Sequence, residues 1–365
     1  MHRLVYLCDW LPPDFGAVGQ YSVLFATERA ERGEHVTLVG LSSRKSSSET
    51  VELGAGRLET IRVRAASYDR SRLLRRALWT LRTDLALLWH ARGALRRADE
   101  ILFTGSPPFL VHFVVPLNLL LRKRLTYRIT DFHPECLIAE LGRAPLPLRW
   151  FHRFTILLRR RVHAFEVLGE DQRRRLQEIG IGADRIRLRR DPSPVEVSPG
   201  LEPLPIPDEL RGRVVLLYSG NFGVAHDHHT FLEGYRLHHR HGSGRVGLWL
   251  NATGAKADLL AAALARERLP FHRSALVPLV DLPRLLVTPD AHLITLRDEF
   301  VGFVLPSKIY ACLESGRPVV YIGSPSSDVD LLARARRTGA GYRQIAVGDG
   351  KGVAATLEEL AAGAL

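Results

Sequence analysis

Short runs of consecutive apolar residues alternate along this chain with longer stretches whose apolar positions recur every three or four residues. Residues 4–7, 36–39, 101–103 and 127–129 are of the first kind, with helical patterns between them. Strands separated by helices are the signature of a parallel sheet, so the first half predicts a doubly wound α/β domain. A second alternating series begins at residues 213–220 and continues through 246–250, 291–296 and 318–322. Six prolines, Pro192, Pro194, Pro199, Pro203, Pro205 and Pro207, separate the two series, and no regular element survives that density. The pattern predicts a first domain over residues 1–195, a Pro-rich linker at 196–212 and a second domain over 213–365.

Two helical stretches are basic as well as apolar. Residues 71–97 place Leu74, Leu78, Leu81, Leu85 and Leu88 on one stripe, with Arg72, Arg75, Arg76 and Arg82 elsewhere. Residues 149–161 interleave Trp150, Phe151 and Phe154 with Arg149, Arg153, Arg159, Arg160 and Arg161. Such helices either pack on their own sheet with the arginines in water or lie against a membrane surface.

Composition narrows the class. The 365 residues are 46% hydrophobic and 25% charged, which excludes a disordered or fibrous chain. The longest apolar stretch, residues 107–121, contains His112 and Asn118 and is too short to span a bilayer. The N-terminal run is too short for a signal peptide, ends at Asp9 and reads as the first strand. Cys8, Cys136 and Cys312 are too far apart for a zinc knuckle or a disulfide framework, which fits a reducing cytoplasm. A formal charge of +12 favours a polyanionic partner: nucleic acid, anionic lipid or a pyrophosphate-bearing substrate. Apart from Lys45, Lys123, Lys256, Lys308 and Lys351 the cations are arginine, a bias that GC-rich coding produces by itself.

Two segments carry candidate chemistry. Tyr218-Ser-Gly-Asn-Phe-Gly223 follows a predicted strand and precedes a helix starting near Asp227 or Thr230. Gly220, Asn221 and Gly223 there suit either a tight turn or a loop whose backbone N–H groups approach an anion. In Gly302-Phe-Val-Leu-Pro-Ser-Lys-Ile-Tyr-Ala-Cys-Leu-Glu-Ser-Gly-Arg-Pro-Val-Val320, Pro306 and Ser307 can start a helix. Lys308 then falls in its first turn, where the helix dipole disfavours a cation unless a phosphate shares the site.

The string Pro-Ser-Lys-Ile-Tyr, continued by Ser-Gly-Arg-Pro-Val-Val, resembles the donor-site helix of glycosyltransferase family 4. Three further stretches agree in order. Pro12 to Tyr21, with Gly16, Gly19, Gln20 and Tyr21, resembles that family's first loop and helix. Arg128-Ile-Thr-Asp-Phe-His-Pro-Glu135 resembles the Asp-x-x-Pro-Glu segment of members that build bacterial surface polysaccharides, and Ser219 to Thr230 the first donor-domain loop.

The resemblance implies a GT-B architecture: two Rossmann-like, doubly wound parallel-sheet domains facing a cleft, with the nucleotide-sugar donor held mainly by the second. It implies no bound metal and no cofactor beyond that donor substrate. The chain departs from the family where two glutamates stand eight residues apart: the equivalent positions are Phe303 and Ala311. Glu314, one turn further on, is the candidate ribose ligand. Asp131, His133 and Glu135 are the candidate catalytic residues, since a transferase needs a group that accepts or positions the acceptor hydroxyl's proton. A loop with local Asx-type hydrogen bonds is the alternative reading of these three. Asp328-Val-Asp330 reads as a helix cap at Asp328 rather than a metal site, and the six histidines between His226 and His241 lack the carboxylate or cysteine pattern of a metal centre.

The expected function is transfer of a sugar, with retention, from a nucleotide-diphosphate sugar, UDP ahead of GDP, to an acceptor. A lipid-linked glycan such as an undecaprenyl-pyrophosphate sugar suits the basic helices, and puts the protein in the cytoplasm, peripheral to the inner face of the membrane. Nucleic acid fits less well, because no nucleic-acid module is present. A nucleotide-sugar 2-epimerase on the same fold and a non-enzymatic two-lobe binding protein are the competing readings.

Overall fold

The computed structural model describes residues 1–14, 17–66, 73–335 and 341–365, which form two compact units, Met1–Arg190 and Asp191–Leu365. Unit 1 runs β1 (Arg3–Trp10), α1 (Ala17–Glu31), β2 (His35–Ser42), β3 (Ser47–Leu53), β4 (Gly56–Arg64), α2 (Leu73–Arg97), β5 (Glu100–Thr104) and α3 (Val111–Leu121). It continues through β6 (Arg124–Ile129), α4 (Glu135–Leu141), α5 (Leu146–Arg159), β7 (Ala164–Val167), α6 (Glu170–Glu178) and β8 (Ile186–Leu188). Its sheet has the order β3-β4-β2-β1-β5-β6-β7-β8. Successive residues of β1, Leu4, Val5, Tyr6 and Leu7, are all buried, as expected of a strand covered on both faces.

Unit 2 runs β9 (Val214–Asn221), α7 (His229–His241), β10 (Val246–Thr253), α8 (Ala255–Arg266), β11 (Phe271–Ser274) and α9 (Leu282–Val287). β12 (Ala291–Thr295), α10 (Lys308–Glu314), β13 (Val319–Ile322), α11 (Asp328–Ala335), β14 (Tyr342–Ile345) and α12 (Gly350–Ala361) complete it. The sheet order is β11-β10-β9-β12-β13-β14, parallel throughout.

Both sheets reverse direction once. In unit 1 the chain leaves β1 for β2 on one side and returns to β5 on the other; in unit 2 β9 is flanked by β10 and β12 in the same way. Crevices at such switch points, beyond the strands' carboxyl ends, are where open α/β sheets bind ligands. Topology alone therefore singles out the ends of β1 and β5 in unit 1, and of β9 and β12 in unit 2.

Three expectations need correction, and one open alternative, the facing of helix α2, narrows. The first sheet carries an antiparallel edge, β3 on β4, closed through Gly54 at φ 61°. The Pro-rich segment is part of unit 2, because Leu204 and Leu210 join Val215, Leu217, Trp249 and Leu285 in one apolar cluster. Helix α2 turns its leucine stripe outward: Leu78, Leu81 and Leu85 are exposed, whereas Thr80, Thr83, Asp84, Leu87, Ala91 and Leu95 face the sheet. The α11 cap falls on Ser327, whose hydroxyl accepts from the Val329 N–H, and Asp328 is the first helical residue.

Candidate functional site

In unit 2, Gly220 is the penultimate residue of β9, with φ at 116°, where only glycine is unstrained. Lys308, the first residue of α10, reaches back to this turn: a Cβ on Gly220 would stand 3.8 Å from its Nζ. The ammonium lies 3.2 Å from the centroid of the Tyr218 ring, itself stacked on Phe222. Nζ is shielded from solvent and has no hydrogen-bond partner. Burial lowers its pKa from 10.5 to about 7. Three N–H donors held in the interior without an acceptor are costly, and an anion at the Gly220 turn would satisfy them.

Neighbouring groups belong to the same edge. Asp227 caps α7, its Oδ1 accepting from the N–H groups of His229 and Thr230, while its Oδ2 has no partner. His226 places Nδ1 2.6 Å from the Thr295 carbonyl at the end of β12, and burial with the nearby Lys308 charge pushes its pKa down to about 3. The ring is therefore neutral. The buried Nδ1 of His228 is also without a partner. Asn221 is exposed at the rim, and a Cβ on Gly223 would come 3.3 Å from its Nδ2. Pro306 is buried and Ser307 half-buried just before Lys308. Glu314 is exposed at the far end of α10, roughly 9 Å along the axis from Lys308 at 1.5 Å per residue. The structure thus brings Gly220 and Lys308 together and leaves Glu314 apart.

In unit 1 the candidates follow β1 and β6. Gly16 lies outside the described residues. Gly19 is required by packing, since a Cβ there would sit 1.7 Å from the Trp10 carbonyl oxygen. Gln20 is half-buried and Tyr21 buried in the first turns of α1. Asp131, just past β6, is half-buried, and burial together with the charge of Asp9 raises its pKa to about 6. The half-buried His133 ring meets Phe109 edge-on at 5.9 Å.

Glu135 has a different environment. Both its oxygens accept from the Arg159 guanidinium, one at 3.0 Å, and His152 approaches at 3.1 Å. This arrangement holds the carboxyl well below the ordinary carboxylate range. Arg159 is fully buried and also donates to the His133 carbonyl at 2.9 Å, so it is no part of a solvated basic face. Glu135 and Arg159 tie α4 to α5 and support the Asp131–His133 turn from behind.

Sequence reasoning passed over three further polar residues here. Between Leu7 and Trp10, β1 takes three steps where its partner β2 takes two from Val39 to Leu41. That bulge re-aims Asp9, whose Oδ2 accepts from Ser106 Oγ at 2.5 Å. Asp84 of α2 is buried, and burial, with the charge of Asp9 added, opposes its ionisation. The aspartate ending the first apolar run was visible as a strand-end polar residue; its neighbours across the sheet were not.

No protein-family model matches this chain, and no curated protein matches it. Solved structures do. HepE of Anabaena, in complex with UDP and glucose, superposes with a TM-score of 0.63 at 11% identity, over 98% of this chain and 89% of that one. An α,α-trehalose-phosphate synthase (UDP-forming) from Burkholderia vietnamiensis gives 0.63 at 14%, over 98% and 91%. WaaG, a glycosyltransferase involved in lipopolysaccharide biosynthesis, gives 0.58 at 16%, over 98% and 90%. At these identities the likeness is one of fold: the chain has the two-unit α/β architecture of GT-B proteins.

Proposed function

We propose that this protein is a metal-independent, family 4-like glycosyltransferase that uses a nucleotide-diphosphate sugar, with UDP preferred to GDP. The observation that carries the reading is the Lys308 ammonium, buried without a hydrogen-bond partner against the Gly220 turn at the unit 2 switch point. A diphosphate there would accept from Lys308 Nζ and from backbone N–H groups of the Gly220–Gly223 loop. The HepE structure in complex with UDP and glucose, and the UDP-forming trehalose-phosphate synthase of the same fold, support that choice of nucleotide.

On this reading Asp131 and His133 act on the acceptor side, and the donor sugar is transferred with retention. The acceptor is a lipid-linked glycan of surface-polysaccharide synthesis, met at the inner face of the cytoplasmic membrane. The exposed apolar residues of unit 1 support a lipid-side acceptor. Leu78, Leu81, Leu85 and Trp89 on α2, Leu119 and Leu120 on α3, and Trp150, Phe154 and Leu157 on α5 all face outward, and these three helices pack in sequence.

The test is calorimetry with UDP and GDP on the intact chain and on Lys308→Ala. A charge-assisted contact contributes roughly 1.5–3 kcal/mol, so the variant should bind UDP at least tenfold more weakly with an unchanged circular dichroism spectrum. An unchanged dissociation constant for whichever nucleotide binds removes Lys308 from the site.

A further inference from the structure

At the edge of unit 2 opposite its switch point, the turns that lead into β9, β10 and β11 enclose a cavity of about 470 Å³. Its wall is basic. Arg213 enters from the turn before β9, His239 and Arg240 from the last turn of α7, and Arg268 from the turn that follows α8. Glu267 is the one carboxylate in that wall.

Glu267 is already engaged. Both its oxygens accept from Arg236, one at 2.8 Å, and Arg240 and Arg266 stand 3.3 and 3.8 Å away. Three guanidinium groups thus share one negative charge. Among the described residues neither Arg213 nor Arg268 is paired with a carboxylate: Arg213, half-buried, donates to the neutral Gly244 carbonyl at 2.9 Å, and Arg268 is exposed. Cations gathered in this excess repel one another until an anion joins them.

Backbone strain marks the same place. Arg268 has φ 53° in the turn that ends α8, its N–H bonded to the Ala265 carbonyl and the Leu269 N–H to that of Leu264. Glycine is the ordinary occupant of such a left-handed position, so a long cation is kept there against the backbone's preference. Beside it the His239 ring is neutral, since burial, with the charges of His238 and Arg213 added, pushes its pKa down to about 4. Its shielded Nε2 has no hydrogen-bond partner. The framework behind is fastened by Tyr235, which donates to the Pro270 carbonyl at 2.5 Å and accepts from the Leu248 N–H at 3.1 Å, tying α7 to β10 and to the turn before β11.

Guanidinium forks around a cavity whose carboxylate is spent on other arginines suit a tetrahedral oxyanion. The volume exceeds that of one phosphate and falls in the range of small-molecule sites. We propose that this cavity binds a phosphate-bearing small molecule, its phosphate held by Arg213, Arg240 and Arg268. The site is separate from the Lys308 turn: α7 runs from His229, on the donor edge, to Arg240, roughly 16 Å away at 1.5 Å per residue. It does not depend on the glycosyltransferase reading.

The experiment is NMR of the full chain with ring-labelled histidine, the His239 signals assigned through His239→Gln, with the donor edge filled by UDP or, should UDP not bind, silenced by Lys308→Ala. Inorganic pyrophosphate and glycerol phosphate are the probes, and sodium chloride at matched ionic strength is the control. At least one probe should shift the His239 signals to saturation, pyrophosphate alone supporting a free polyphosphate ligand and glycerol phosphate an esterified one. Arg213→Gln with Arg268→Gln should weaken that affinity at least tenfold and leave UDP affinity unchanged. Arg268→Gly should weaken it too and, without anion, raise the melting temperature, because the turn gains its preferred residue. If Arg213→Gln does not fold, Arg268→Gly carries the test. Signals that neither probe moves, a shift that sodium chloride reproduces, or full affinity in the variants overturns the site. A His239 response without UDP binding would sink the donor reading and leave this site standing; UDP binding without a His239 response would do the reverse.

Discussion

Lys308 and Asp131 are both held away from their ordinary proton affinities by burial, and they answer to pH in opposite directions. Lys308, at about 7, is charged below neutrality and loses its proton above it, so UDP affinity should fall between pH 7 and 9. In Lys308→Met the weaker affinity should be flat over that range. Asp131 is a carboxyl whose folded pKa of about 6 exceeds the unfolded value near 3.9. Below about 4 both states hold the proton and nothing is lost; above about 6 the folded state carries the full cost of an ionised, buried group. Two units correspond to roughly 3 kcal/mol at most. Asp131→Asn should therefore stabilise unit 1 by about 1–3 kcal/mol at pH 7.5 and leave it unchanged at pH 4, while lowering turnover. A melting temperature at pH 7.5 equal to or below the wild type would mean that Asp131 is structurally satisfied rather than kept strained for chemistry.

At the scale of elements, the buried strands were legible because their apolar runs are continuous. The runs at residues 4–7, 36–39, 101–103 and 127–129 all fall inside β1, β2, β5 and β6. The β3–β4 hairpin leaves no unbroken apolar run, because both strands on either side of Gly54-Ala55-Gly56 mix polar and apolar positions. Helix α2 shows a deeper limit. Its period gave a helix but not its inward face, since Thr80, Thr83 and Asp84 are buried for reasons that lie on other strands. The Gly220 and Lys308 motifs were legible because a positive φ and a helix start leave local traces. The environment of Glu135 was hidden for the opposite reason: its partner Arg159 is distant in sequence and reads as one more arginine in a basic run. The buried pair makes a definite prediction. Arg159→Met leaves the buried Glu135 without its guanidinium partner, with His152 still at 3.1 Å, and should destabilise unit 1 by roughly 3–5 kcal/mol. Adding Glu135→Leu should recover most of that loss. Arg160→Gln, at an exposed residue that donates to the Ile179 carbonyl, should cost less than about 1 kcal/mol. Chemical denaturation of the four proteins checks the order, and equal stability of the two single variants would refute the buried-pair role.

For the molecule as a whole, the net charge of +12 takes on meaning through the outer face of unit 1. A protein with no external partner would be expected to keep large apolar side chains scattered, yet here Trp89, Leu120 and Trp150 are each more than half exposed on neighbouring helices. Arg92 lies over the Trp89 ring at 4.2 Å and Arg153 over Trp150 at 5.3 Å, so cations accompany the aromatic residues. None of the described helices is long and apolar enough to cross a membrane, and lying on one would bury these rings at the headgroup boundary with the guanidinium groups against anionic lipid. Each cation near such a surface contributes about 1 kcal/mol, and salt screens it; the apolar part is insensitive to salt. The two contributions can be separated by sedimentation with phosphatidylglycerol-containing and purely phosphatidylcholine vesicles at low and high salt. The wild type should pellet with anionic vesicles at low salt and partly release at high salt. Arg92→Gln with Arg153→Gln should lose the preference for anionic lipid, whereas Leu81→Ser, Trp89→Ser and Trp150→Ser together should weaken binding to both at every salt concentration. Arg159 does not belong to this surface: it is fully buried, and its removal would destabilise unit 1 rather than discharge its outer face. Equal partitioning of wild type and both variants would leave the exposed face without a lipid partner and shift the acceptor from a membrane-anchored glycan to one free in solution.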